Sequence, residues 1–440
     1  MYNKKKILKV SYPIILGLLA QNIINVTDTA FLGHVGEVEL GASAIGGIYY
    51  YCFFILAFGF SIGAQILMAR RNGEEQYDKI GPILTQGSLF SLLIAIFMLA
   101  LTLITARPMM RMMLSSEQIV DAAVTFYQWR AWGFLFSFIN TMYRAFYVSI
   151  TRTKVLTYNA IVMAVVNIFL DWAMIFGEAG FPRMGLEGAA LASVIAEAVS
   201  LIYFIGYTRK VVGTERYNIH FSWKIDRELI RSILGLATFL MLQQFIPFAT
   251  WFVFFLAIEH LGQRELAIAN ICRSIYILAL IPINSFQTTV NTLVSNTIGA
   301  GQADKVRAVI NRVTVMSVAT GVFFGALMYW IPEQMLSIYT HDAQLIADSV
   351  PSLHVIAIAL VICAASNVQF SGISGTGSAK AALWIMLPCQ LAYIIWILVF
   401  TGWLRWSVAA SFTCEVMFYF LLLISSVLYL KYGNWRNARV

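Results

Sequence analysis

Residues 11–33 read SYPIILGLLAQNIINVTDTAFLG, and this stretch decides the fold. A bilayer crossing takes about 20 mostly apolar residues, which the stretch supplies. It nevertheless contains Gln21, Asn22, Asn25 and Asp28. An acid at the centre of a spanning helix costs about 2.5–3.5 kcal/mol on insertion scales, so such a residue faces a bundle interior or a wet cavity. Pro13, Gly17, Gln21, Asn25 and Asp28 follow one another at helical spacing, which puts the helix breakers and the polar groups on one face. A proline inside a helix removes one backbone hydrogen bond and permits a kink. Pro13 and Gly17 are therefore candidates for helix bending, with an acid on the bending face.

The rest of the chain fits a membrane-embedded bundle. Of 440 residues 60% are hydrophobic and 12% charged, whereas a soluble chain carries about a quarter charged residues. The apolar runs are long and uninterrupted, which predicts an all-α integral membrane protein. About twelve runs reach spanning length, at 8–33, 43–69, 83–105, 123–149, 156–177, 187–207, 231–258, 267–298, 311–332, 349–376, 380–402 and 406–430. The N-terminal MYNKKKILKV followed by an apolar run looks like a secretory signal, but the run is too long, holds Asp28 and lacks a clear small-residue cleavage site. Cys52, Cys272, Cys363, Cys389 and Cys414 lie far apart inside apolar runs without a CxxC, so neither disulfides nor a metal site are expected.

The net charge of +8 would point to nucleic acid in a soluble protein. Here the basic residues divide by side instead. Of 30 lysines and arginines, 23 fall at the termini and in alternate connections, from Lys4, Lys5 and Lys6 to Arg436 and Arg439. Five fall in the other connections, at Arg107, Arg111, Arg183, Arg264 and Arg405. The positive-inside rule then places both termini in the cytoplasm, and no nucleic-acid partner is expected. The long basic connection 208–230 is read as a cytoplasmic linker between an N-terminal half, 1–207, and a C-terminal half, 231–440.

An internal repeat supports that division. FLGHVGEVELGAS (31–43) is similar to AIEHLGQRELAIA (257–269): His34, Gly36, Glu39 and Leu40 correspond to His260, Gly262, Glu265 and Leu266. Asp78-Lys79 corresponds to Asp304-Lys305 at the same spacing, and Ala192-Ser193-x-x-x-Glu197 echoes Ala410-Ser411-x-x-x-Glu415 at a slightly different one. A six-span unit repeated in tandem keeps its orientation. Two such bundles would be related by a pseudo-two-fold axis along the membrane normal, a transporter architecture.

The chemistry concentrates in the first and fifth spans. Asn167 and Asp171 are one turn apart and share a face. Both spans run outward, and Asp28 and Asp171 precede Gly33 and Gly177 by similar distances, so the two acids are expected at similar depth. Two carboxylates in a low-dielectric cavity cannot comfortably both stay ionised without a partner. Either they share a proton, or a hard cation such as Na⁺ sits at Asp28, Asn167 and Asp171 with further oxygens completing its shell. Gln21, two turns before Asp28 on the same face, belongs to the candidate cation-coupling set, and Asn25 and Glu197 are possible additional members, Glu197 as a third acid. The plain alternative is a structural polar pair that stabilises the bundle.

The matching position of the seventh span is Phe254, so the C-terminal half lacks the acid of the first span. It carries amides instead: Gln243 and Gln244, then Asn284, Gln287 and Asn291, then Asn367 and Gln369. These either line a substrate cavity or make interhelical hydrogen bonds. Tyr49, Tyr50, Tyr51, Phe53, Phe54 and Phe58 would suit amphipathic ligands and would equally face lipid. Gly59-Phe60-Ser61-Ile62-Gly63 matches the GxSxG pattern of hydrolases, but it lies inside a span, where small-residue helix packing explains it better.

These residues resemble the multidrug and toxic compound extrusion (MATE) family: Pro13, Gln21 and Asp28 leading into TDTAFLGHVGEVELGA, Asn167-x-x-x-Asp171 in the fifth span, and two six-helix halves. The neutral Gln243, Gln244 and Asn367 bring the chain closer to the DNA-damage-inducible-F-like branch than to bacterial members with acids in the seventh and tenth spans. The resemblance implies a multi-pass protein of the bacterial cytoplasmic (inner) membrane. It further implies secondary active antiport of small, amphipathic, cationic compounds, driven by inward H⁺ or Na⁺ through alternating access of a V-shaped pair of bundles. Asp28, Asn167 and Asp171 would form the cation-coupling site. No cofactor other than the coupling ion is expected, and nothing demands more than a monomer. A lipid-linked precursor flippase of the same superfamily would need a broadly basic cavity, and Arg130, Arg144 and Arg273 are expected mostly near span ends. A membrane-embedded enzyme would need a catalytic constellation that the sequence does not carry.

Overall fold

The computed structural model describes residues 2–114 and 116–437; Arg439, counted above with the inner-side basic residues, lies outside the described residues. The described chain is helical, with no strand among its elements. In order these are α1 (Lys4–Val35), α2 (Glu37–Gly73), α3 (Ile80–Met113), α4 (Glu117–Arg130), α5 (Phe134–Ser149), α6 (Lys154–Phe176) and α7 (Leu186–Tyr207). They continue with α8 (Arg227–Glu259), α9 (Gln263–Gly299), α10 (Val306–Trp330), the short α11 (Pro332–Leu336), α12 (Ala343–Gly375), α13 (Ala379–Trp396), the short α14 (Val408–Ser411) and α15 (Thr413–Tyr432). Among the described residues eleven helices are long and apolar enough to cross a membrane.

The remaining span, the fourth, is divided. It begins at Glu117 rather than near 123, and a short 3₁₀ turn at Ala131–Gly133 separates α4 from α5. Its first turn is polar, with Arg107–Asp121 at 2.7 Å and Arg111–Glu117 at 3.2 Å as exposed ion pairs. The earlier start moves Arg130 from a span end into the interior of the span.

By packing, the chain forms two compact units, one of Tyr12–Met241 and one of Met1–Ser11 with Leu242–Val440. The divisions fall inside α1 and α8, not at 208–230. The reasons are local. The Ser285 hydroxyl donates to the Ser11 carbonyl at 2.7 Å, and the Arg312 guanidinium donates to the Tyr2 carbonyl at 2.9 Å. In the other unit, a Cβ on Gly59 would come within 2.6 Å of the Met241 Cα, and one on Gly63 within 2.7 Å of the Ala237 Cβ. The GxSxG stretch is thus a close helix crossing of α2 on the first half of α8, as small-residue packing requires. Its Ser61 hydroxyl is spent on the Phe58 carbonyl at 2.7 Å.

The connection 208–230 packs on the N-terminal unit. The Gly81 N–H donates to the Tyr217 carbonyl at 2.8 Å, and the Gln86 side chain bridges the Lys224 carbonyl and the Asp226 N–H. Phe221 and Trp223 remain exposed and meet edge to face at 4.9 Å.

The repeat recurs in local geometry. Gly36 precedes α2 and Gly262 precedes α9, and in each case a glutamate at the third helical position, Glu39 or Glu265, folds back over the glycine. His34 and His260 each bond the carbonyl four residues earlier at 2.7 Å. Asp78-Lys79 and Asp304-Lys305 each sit in a 3₁₀ turn that leads into the next helix.

Candidate functional site

The acids of α1 and α6 come together. Asn167 and Asp171 are fully buried, one turn apart on α6. Asp28 on α1 is half-buried, and its carboxyl and that of Asp171 lie within hydrogen-bonding reach of each other. Two carboxylates are both acceptors, so this contact supplies no donor. Asp28 Oδ1, both oxygens of Asp171 and both polar atoms of Asn167 are buried without a hydrogen-bond partner. Buried polar groups are normally paired, and five orphaned atoms on three neighbouring side chains mark a place built for something further. The donor set of two carboxyls and an amide oxygen is chemically suited to a proton or a hard cation. Among the described residues there is no group of three or more His, Cys, Asp or Glu side chains able to hold a metal ion.

Local structure explains the placement. Near its N-terminal end α1 lies on α6: the Thr157 hydroxyl donates to the Pro13 carbonyl at 2.9 Å, and a Cβ on Gly17 would sit in ordinary contact with Leu156 and Ala160. The same helix pair, followed toward its C-terminal ends, brings Asp28 to Asp171. Pro13 lies inside a helix assigned continuously from Lys4 to Val35. Gln21 and Asn25 are exposed, and neither side chain has a hydrogen-bond partner among the described residues.

Glu197 does not join the acid pair. It forms a buried ion pair with Arg130, at 2.6 Å from Nη2 to Oε1 and 3.1 Å from Nη1 to Oε2. The guanidinium lies over the Tyr50 ring, 3.7 Å from its centroid, and that ring stacks on Phe134 at 4.4 Å. The Tyr50 hydroxyl meets the Ser137 hydroxyl at 2.7 Å, and the Asn140 amide donates to the Glu197 carbonyl at 2.9 Å. A Cβ on Gly133 would overlap Arg130 Nη1 and Glu197 Oε2. The pairing was missed at the level of sequence, although a signal existed: an arginine and a glutamate inside spans each need a partner.

The profile of the family described as MatE matches residues 13–173 and again 240–399, most of the chain. The chain belongs to the MatE family. The first MatE match contains the His34 turn with Asp28, Asn167 and Asp171, and the second contains the matching His260 turn, while Glu197 and Glu415 lie beyond both. A curated relative from Thermotoga maritima, named "Probable multidrug resistance protein NorM", is 23% identical over 386 residues, covering 85% of this chain and 80% of the relative. Among solved structures, the eukaryotic MATE transporter AtDTX14 matches with a TM-score of 0.88 at 16% identity, over 99% of this chain and 96% of that one. A MOP superfamily transporter from Pyrococcus furiosus matches with a TM-score of 0.87 at 17% identity, over 98% and 95%. At these identities the structures show the fold, that of a membrane transporter of the MATE type.

In this MatE chain the C-terminal amides are divided in use. Gln243 is buried, donating to the Ala379 carbonyl at 2.8 Å and accepting from the Ser374 hydroxyl at 3.1 Å. Asn291 is buried at the α9–α12 crossing, where its amide reaches the Ser371 carbonyl at 3.5 Å. These two serve helix packing. Asn367 reaches only the Cys363 sulfur, at 3.3 Å. Gln244 and Gln287 are half-buried, and Asn284 is exposed.

Proposed function

We propose that this transporter is a secondary active antiporter that exports small, amphipathic, cationic compounds in exchange for inward H⁺ or Na⁺. The observation that carries the reading is the contact of the Asp28 and Asp171 carboxyls without a donor between them. Such a pair binds a cation when it is reachable from water, and its net charge changes as it does so. Asp28 and Asp171 are the ligating acids, with Asn167 supplying an amide oxygen. Exposed Gln21 and Asn25 on the same helix give the ion a polar path, and Pro13 and Gly17 let α1 bend as the charge changes. The multidrug names of the relatives support an amphipathic cargo, and the excess of basic residues on one side supports cytoplasmic termini. Glu197 stays outside the coupling site because Arg130 already neutralises it.

The test is efflux of ethidium from proteoliposomes, with a pH gradient and a Na⁺ gradient imposed separately. Asp28→Asn is expected to lower gradient-driven efflux at least about tenfold while the protein still purifies as a folded species, as expected for a functional intramembrane acid. The effective gradient names the ion. Wild-type efflux by Asp28→Asn would make the pair structural.

A further inference from the structure

The ion pair of the N-terminal unit has a counterpart in the C-terminal unit, altered at one position. Tyr50 corresponds to Tyr276 at the same spacing that relates His34 to His260. Ser137 corresponds to Cys363, and Glu197 to Glu415 through the shared Ala-Ser-x-x-x-Glu. In space the parallel is partial: Tyr276 on α9, Cys363 on α12 and Glu415 on α15 lie near one another, but the Tyr276 hydroxyl makes no bond like those of Tyr50 to Ser137 and Glu197, and Glu415 is held by Tyr393 instead. The position of Arg130 is taken by Ile356, which is fully buried. The C-terminal acid therefore has no arginine at the corresponding position.

What remains around Glu415 is neutral. The carboxyl is buried and accepts one hydrogen bond, from the Tyr393 hydroxyl of α13 at 2.9 Å. The titratable groups facing it are Tyr276, Cys363, Tyr393, Cys414 and Tyr419, with no ion pair to Glu415 among the described residues. The Tyr276 hydroxyl is buried without a well-formed hydrogen bond. The backbone nearby is irregular: a π-helical segment spans Ile397–Trp403, and α15 starts afresh after the short α14. Such interruptions are common at functional sites of helical membrane proteins. A buried acid with a fixed arginine keeps its charge, whereas one held by a single hydroxyl can exchange a proton without stranding a cation.

We propose that Glu415 is a proton-binding site of the transport cycle, a carboxyl of the C-terminal unit that takes up and releases H⁺ alongside the Asp28–Asp171 pair. Uptake adds one H⁺ from water to a carboxylate oxygen and breaks no other bond, since the Tyr393 hydroxyl donates to Oε1 in both states. This rests on the cation-coupled reading above. It adds a site that the amides Gln243, Gln244 and Asn367 do not provide.

The experiment combines infrared pH-difference spectra of the full-length protein in lipid with counting of protons moved per ethidium under an imposed pH gradient. Glu415→Gln is expected to delete one carboxyl band and to cause about a two-fold drop in protons per ethidium. Asp28→Asn is expected to delete a different band. Tyr393→Phe keeps the Glu415 band but shifts it, because the single hydrogen bond is gone, and this holds the test open if the glutamine variant does not fold. A Glu415→Gln protein with the wild-type spectrum or the wild-type proton count overturns the proposal, as does an unshifted band in Tyr393→Phe. If Asp28→Asn moves wild-type protons while Glu415→Gln does not, the N-terminal site fails and Glu415 stands.

Discussion

Gly133 has no side chain because Arg130 and Glu197 occupy the space where one would begin. The atoms in the way are the ends of two side chains, but those ends are locked in a bidentate pair and cannot swing aside freely. Gly133→Ala is expected to destabilise the protein by about 1–3 kcal/mol, the usual cost of overpacking a filled site. Gly47→Ala, where nothing lies within 4 Å, is the control, expected to stay within about 0.5 kcal/mol. Thermal unfolding of the purified protein in detergent reads both. Arg130→Met strands a buried carboxylate and is expected to cost about 3–5 kcal/mol, most of it regained on adding Glu197→Gln. Full additivity of the two losses would mean that the pair is not coupled. At this scale Asp28, Asn167 and Asp171 were readable, because each sits on a helical face whose spacing is written in the chain. The Arg130–Glu197 pair was not, because its members are far apart in sequence and their meeting depends on where the fourth span breaks.

Helix limits follow hydropathy, and most were readable to within a few residues. The break at Ala131–Gly133 was not, since no proline marks it and a 3₁₀ turn leaves the apolar run intact. The π-helical segment at Ile397–Trp403 was hidden for the same reason. The α2–α8 crossing was legible in part: Gly59 and Gly63 announced a close approach, while its partner, the first half of α8, did not. A side chain at Gly63 meets Ala237 backbone atoms at 2.8 and 3.0 Å, which cannot rotate away as a lysine tip would. Gly63→Val is therefore expected to abolish the monodisperse species in size-exclusion chromatography, whereas Gly41→Ala, with open space around it, leaves it intact. A well-behaved Gly63→Val protein would show that the two helices can part without loss of the fold.

At the scale of the molecule the tandem repeat was readable from the His-x-Gly turns and the 3₁₀ turns that follow. The allegiance of the first turns of α1 and α8 was not, because a continuous helix carries no mark of which neighbours it packs on. Ile356 at the position that corresponds to Arg130 has an electrical consequence. Exchange of a singly charged compound for one proton moves no net charge, but if Glu415 also cycles a proton, one positive charge enters per turnover. Membrane potential then acts as a driving force in its own right, at about 2.3 kcal/mol per charge for each 100 mV. That is about a 50-fold change in the concentration ratio the protein can hold. Proteoliposomes clamped with potassium and valinomycin, at equal pH on both sides, should therefore drive ethidium transport by voltage alone. Glu415→Gln should leave the protein blind to it.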